Sequence, residues 1–217
     1  MGRSDPSASE KLKKEICRTM RRLFHRGLIS SLSGNVSARF PGASEFWITP
    51  SGVFKGGLRP RDLVKVGLNG VVIEGSLKPS IETPFHAAIY KWRADVNAVV
   101  HSHNPITTAL VIAGIEIKPV TVEAAVMLGE VKVVPWAPPG SEELANLISE
   151  YINGAKALVL MNHGVIGVGG NLLEAEAIVE ALEETATIIF IASLFTRDIS
   201  LIPGKDIESM MKKSLGN

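Results

Sequence analysis

Val96-Asn97-Ala98-Val99-Val100-His101-Ser102-His103 passes from a mainly apolar run into two imidazoles two positions apart. Short β-branched runs bounded by turn residues form buried strands. The pattern predicts a strand over 96–101. It sends His101 and His103 to one face, with their Cα atoms roughly 6.5–7 Å apart. Two imidazoles at that separation can converge on one ion at about 2.0–2.1 Å each. A second run of the same kind, Ala157-Leu158-Val159-Leu160, leads to His163-Gly164. Three histidines at the ends of two buried strands match the three protein ligands and open position of catalytic zinc.

Around these strands, Leu12, Ile16, Met20 and Leu23 recur at helical spacing and predict a first helix ending near Gly27. Strand-like pieces follow at 35–40, 45–49, 63–66 and 71–74, punctuated by glycine and proline as in an antiparallel meander. Phe85, Ala88, Ile89 and Trp92 mark a second helix, and 105–112 a short third. Residues 131–134, 157–161 and 165–168 read as strands, and 141–151 as a helix with glutamates in its first turn. Asn171 and Glu174 form a capping-box pattern that opens a long helix through Leu194. The expectation is one α/β domain over 1–217, a mostly antiparallel central sheet covered by helices.

Composition narrows the function. With 46% apolar and 21% charged residues and a net charge of +1, the chain has the make-up of a globular protein, not of a dedicated nucleic-acid binder. Cys17 is the sole cysteine, which excludes an internal disulfide or a cysteine-based zinc cluster. Residues 1–6 lack a signal-peptide pattern, and the apolar run near Ile188 to Phe195 is far shorter than the ~20 residues of a bilayer span. A cytoplasmic protein with no membrane partner is expected.

Glu82, in Lys78-Pro79-Ser80-Ile81-Glu82-Thr83-Pro84, falls at a helix start whether Thr83 or Ser80 caps it. There it serves plain helix-start electrostatics, a fourth metal ligand or a general base. His86, one position off the apolar stripe, is expected to make structural hydrogen bonds. Ser31-Leu32-Ser33-Gly34-Asn35, Thr49-Pro50-Ser51-Gly52 and Pro79-Ser80 are small-residue turns whose N–H groups and hydroxyls could cradle an anion.

The ordered set Ser33-Gly34-Asn35-Val36-Ser37, Ile48-Thr49-Pro50-Ser51-Gly52, Lys78-Pro79-Ser80-Ile81-Glu82, His101-Ser102-His103 and Asn162-His163-Gly164 resembles the class II aldolase/adducin family. Within it, the set is most similar to the L-fuculose-1-phosphate aldolases. The resemblance spans about residues 10–195. It implies one zinc ion on His101, His103 and His163, with Glu82 as acid/base and possible additional ligand. It also implies a substrate phosphate held by Gly34, Asn35, Ser51, Gly52 and Ser80. The implied protein is a homo-oligomer, a tetramer, acting on a phosphorylated sugar. The implied reaction cleaves a ketose 1-phosphate to dihydroxyacetone phosphate and an aldehyde through an enediolate.

Three features depart from the family pattern: Ile81 follows Ser80 where a second serine is common, Glu123 stands where a tyrosine is expected, and Ser209–Lys213 contains no tyrosine. Pentulose-phosphate 4-epimerases and methylthioribulose-phosphate dehydratases share the pattern, and glutamate at 82 leans toward aldolase or dehydratase. An adducin-like assembly module has no need of the full histidine set. A cupin is disfavoured because Glu116 lies too far downstream. A metallo-β-lactamase is disfavoured because Asn104-Pro105 follows His103.

Overall fold

Alternation along the strands sorts the apolar residues onto two faces of one sheet, and each face carries its own helices. The computed structural model describes residues 6–207, so the N-terminal reading at 1–5 and the tail at Ser209–Lys213 lie outside the described residues. The elements are α1 (Pro6–His25), β1 (Asn35–Ala38), β2 (Glu45–Ile48), β3 (Val64–Gly67), β4 (Val72–Glu74) and α2 (Thr83–Trp92), then β5 (Ala98–Ser102) and α3 (Pro105–Ile112). They continue with α4 (Val122–Met127), β6 (Val131–Val134), α5 (Glu142–Tyr151), β7 (Ala157–Leu160), β8 (Gly164–Gly169) and α6 (Leu172–Ser193). Two short 3-10 turns, Lys55–Gly57 and Pro60–Asp62, join β2 to β3.

The eight strands order as β4-β3-β2-β1-β5-β8-β7-β6. Every neighbouring pair is antiparallel except β6 and β7, which run parallel with α5 as the crossover between them. The sheet is therefore mixed, as the mostly antiparallel expectation allows.

Along β5, Ala98 and Val100 join the core formed with α1, α3, α4 and α6, whereas Val99 joins the core formed with α2 and α5. β7 divides the same way, with Ala157 and Val159 on the first face and Leu158 and Leu160 on the second. This period of two makes a helix–sheet–helix sandwich. No helix among the described residues is long and apolar enough to cross a membrane.

Several boundaries differ from the sequence expectation. β1 stops at Ala38 because Arg39 turns its guanidinium inward to the carbonyls of Tyr90, Arg93 and Val96. β5 begins two residues late and runs to Ser102, since its register on β8 extends to the Ser102–Val165 pair. The six-residue helix α4 has no counterpart in the sequence reading. It is capped by Thr121, whose hydroxyl accepts from the Ala124 N–H at 3.2 Å, and is too short to show a period of its own.

Arg39 is 6% exposed and also lies over the Tyr90 ring, 4.7 Å from its centroid. Replacing it by leucine removes the donor from those three carbonyls and from that of Ala43. Each such loss costs about 1–3 kcal/mol. Chemical denaturation of Arg39→Leu is expected to show a stability loss on the order of 3 kcal/mol.

Candidate metal and anion site

His101 occupies β5 opposite Ile166 of β8, and its Nδ1–H donates to the Val165 carbonyl at 2.9 Å. That bond fixes the tautomer, leaving a lone pair on Nε2. His103 follows one residue after the strand, where its N–H donates to the Leu28 carbonyl at 2.8 Å. The segment beyond is tied down by Ser102, which bonds Asn104 at 2.7 Å, and by Asn104, which donates to the Val179 carbonyl at 2.7 Å.

His163 is delivered by the tight connection between β7 and β8. Leu160 pairs with Gly164, leaving three residues in the loop. Asn162 takes φ 57°, the left-handed conformation such loops require and asparagine tolerates. The residue at 164 must be glycine for a separate reason. A Cβ there would lie 2.4 Å from the Ser102 carbonyl oxygen and within 3.1–3.2 Å of the His103 and His101 rings.

The ring centroids of the three histidines stand 4.8–5.3 Å apart, and one nitrogen from each lies within 4.8 Å of the others. His101 Nε2 is 3.1 Å from His103 Nε2. Two nitrogens at 2.0–2.1 Å on a tetrahedral ion would stand about 3.3 Å apart.

Glu82, 5% exposed, completes the cluster: its Oε2 lies 3.2 Å from His101 Nε2 and its Oε1 3.2 Å from His163 Nε2. These are not ion pairs. Burial pushes His101 down to about 3 and His103 to about 4, with the other imidazoles adding to the depression. Burial lowers His163 as well, against the pull of Glu82 in the other direction.

The rings are neutral at pH 7, so the His101 lone pair faces a carboxylate oxygen and a third ring. Glu82 Oε1 is buried and accepts no hydrogen bond. Lone pairs converging on one point, in neutral imidazoles beside a carboxylate, fit a divalent cation such as zinc.

The other carboxylate oxygen is held from behind. Asn35, opposite His101 in the β1–β5 pairing, donates through Nδ2 to Glu82 Oε2 at 2.6 Å. Its Oδ1 accepts from His86 Nε2, so His86 Nδ1 must accept, and the Ser37 hydroxyl donates to it at 2.7 Å. Tyr90 then donates to Ser37 at 2.8 Å. Burial drives His86 well below its ordinary range, keeping it neutral for this relay.

His86 thus makes the structural hydrogen bonds expected of it. Its connection to Glu82 through Asn35 has no sequence signal, because the residues involved are 47 to 51 positions apart. Glu82 itself occupies the cap position of α2 and makes no side-chain capping bond, so neither Thr83 nor Ser80 caps the helix.

The three turns adjoin one another. Ser51 N–H donates to the Lys78 carbonyl at 2.9 Å, Ser80 N–H to the Thr49 carbonyl at 3.2 Å, and Pro50 bridges to Pro79. Ser80 is buried and accepts from Glu82 N–H at 3.2 Å, coupling this double turn to the carboxylate. Gly34 lies at φ 73°, where a side chain would be strained and would collide with Ile29, and its neighbour Asn35 reaches Glu82. Ser51 is half-buried and Gly52 exposed. Glu123 sits exposed in the first turn of α4, and no described contact joins it to the histidines.

Residues 14–190 match the family described as the class II aldolase and adducin N-terminal domain. The chain is 36% identical over 187 residues to a 3-oxo-tetronate 4-phosphate decarboxylase of Escherichia coli, covering 84% of this chain and 87% of that one. It is also 36% identical to an L-fuculose phosphate aldolase of Methanococcus maripaludis, over 82% of this chain and 95% of the relative. A solved L-fuculose 1-phosphate aldolase superposes with a TM-score of 0.89 at 30% identity, over 99% and 98% of the two chains.

Gly164→Ala is expected to fold but to push the β8 start off the histidines. Its zinc affinity, measured by competition with a chromogenic chelator, should fall by about tenfold or more, as when other groups that orient metal ligands are lost. Undiminished affinity would mean that the close approach at Gly164 is not what aligns the rings.

Proposed function

The chain belongs to the class II aldolase and adducin family, and from that premise we propose that it is a zinc-dependent aldehyde-lyase. Its substrate in this reading is a ketose 1-phosphate resembling L-fuculose 1-phosphate, cleaved to dihydroxyacetone phosphate and an aldehyde. The observation that carries the reading is the buried Glu82 carboxylate. One of its oxygens is anchored by Asn35, and the other is left without a hydrogen bond beside three convergent imidazoles.

His101, His103 and His163 would hold the ion, with Glu82 near enough to join them. When bound, zinc supplies a Lewis acid that stabilises negative charge on substrate oxygens. Gly34, Asn35, Ser51, Gly52 and Ser80 would hold the phosphate, fixing the far end of the substrate so that the reacting carbons lie against Glu82.

Scission between the third and fourth carbons leaves an electron pair on the third, delocalised toward the neighbouring carbonyl. That carbon must gain a proton, and Glu82 carries it. The hydroxyl on the fourth carbon must lose one as the aldehyde forms. Glu123, reaching the site from a neighbouring subunit, is the candidate for that side. Self-association, in this reading into a homotetramer, is supported by exposed apolar residues at and just after the end of α6, Phe190, Ile191, Leu194 and Phe195. Light scattering of active protein should give the mass of four chains.

The identity with a 3-oxo-tetronate 4-phosphate decarboxylase favours one second reading, loss of carbon dioxide from a phosphorylated 3-oxo acid. It leaves the same electron pair on the same kind of carbon and needs the same proton from Glu82, but no group to manage an aldehyde oxygen. Glu123→Gln separates the two: it should impair cleavage of a ketose phosphate and leave decarboxylation untouched.

The purified protein should hold about one zinc per chain by elemental analysis, and His103→Ala should lose most of it. On whichever substrate of a panel of ketose 1-phosphates and phosphorylated 3-oxo acids is turned over, Glu82→Gln should lower turnover by roughly 10²–10⁴-fold. Turnover at the wild-type level would remove Glu82 from the reaction.

A further inference from the structure

Lys55 is 2% exposed, an unusual place for an ammonium. Buried cations are ordinarily paired with a carboxylate, because desolvating an unpaired charge is costly. No described carboxylate lies within ion-pair distance of Lys55. Of its three N–H donors, the one with a described partner bonds the Pro50 carbonyl, inside the Thr49–Gly52 turn.

The Lys55 main chain is tied to a second turn, its N–H donating to the Ser31 carbonyl at 2.9 Å. The third turn, Pro79-Ser80, is bridged to Pro50 itself. The ammonium therefore sits against one turn, on a residue whose main chain holds a second, with one donor partner described and no carboxylate within ion-pair distance among the described residues. Burial lowers it to about 8, and the Glu82 carboxylate works in the opposite direction, so it remains largely protonated at pH 7.

We infer that Lys55 is the cation of the phosphate site, supplying from beneath the turns the positive charge that their N–H groups and hydroxyls lack. The inference rests on the proposed reading of those turns as a phosphate cradle, and adds to it a residue that the family resemblance does not assign. It also accounts for how the cradle works with Ile81 where a second serine is common. A charge-assisted donor replaces a neutral one and binds a dianion more strongly. A phosphate monoester arriving there brings the missing counter-charge to a buried ammonium, so affinity for the phosphorylated end is bound up with this one lysine.

The test is calorimetric titration of the full chain with inorganic phosphate at pH 7, for wild type, Lys55→Met, Lys55→Gln and Ser51→Ala, with zinc content and circular dichroism measured on each. Lys55→Gln keeps an N–H donor, on a side chain one bond shorter, and removes the charge, whereas Lys55→Met removes both. The expected result is a fall in phosphate affinity of about 10- to 100-fold in both Lys55 variants, with fold and zinc content unchanged.

Wild-type affinity in folded Lys55→Gln would make the lysine a strut for the turn and overturn the inference. So would failure of both Lys55 variants to fold. Affinity that survives the Lys55 changes but falls in Ser51→Ala would overturn the role of the lysine while leaving the cradle standing. No phosphate binding by the wild type would overturn the cradle, and the lysine's role with it.

Discussion

The hydrogen bond from His101 Nδ1 to the Val165 carbonyl joins the two interior strands on which the site is built. It exists only in the register that sets His101 opposite Ile166 and Ser102 opposite Val165. It makes the ring a donor on one side and therefore an acceptor on the other, so the register of two strands settles the chemistry of one nitrogen. A slip by a single residue would turn the His101 side chain to the opposite face of the sheet. The short β7–β8 loop and Gly164 depend on the same register. The loop holds His163 in place, and the missing Cβ lets strand and rings approach.

Glu82 is the other fixed point. A buried carboxylate is costly unless its oxygens are satisfied, and a partly satisfied polar network carries that cost in full. Here the satisfaction is asymmetric. One oxygen receives the Asn35 carboxamide at the end of a relay from Tyr90 through Ser37 and His86, while the other has no hydrogen bond. The relay crosses between α2 and β1 inside the core, so the carboxylate is oriented by buried hydrogen-bonded groups. The oxygen left incomplete is the one beside His163. Lys55 is a second such group, a buried charge with no carboxylate within ion-pair distance among the described residues, set against the Thr49–Gly52 turn.

Much of this was legible in the chain. Short apolar runs marked strands over 96–101 and 157–161, and the two-residue spacing of His101 and His103 set them on one face. Proline and small residues marked the turns and the start of α2. These are local properties, written in residues close enough in sequence for backbone geometry alone to relate them. What the chain did not disclose depends on contacts between distant segments. The pairing of β5 with β8 brings His163 to His101, the docking of α2 on β1 gives Asn35 to Glu82, and the parallel β6–β7 pair comes from the crossover of α5. Nothing in the local sequence singles out Arg39 or Lys55. Only the packed structure surrounds them with carbonyls and turns, because burial is a property of what the rest of the chain places around a residue.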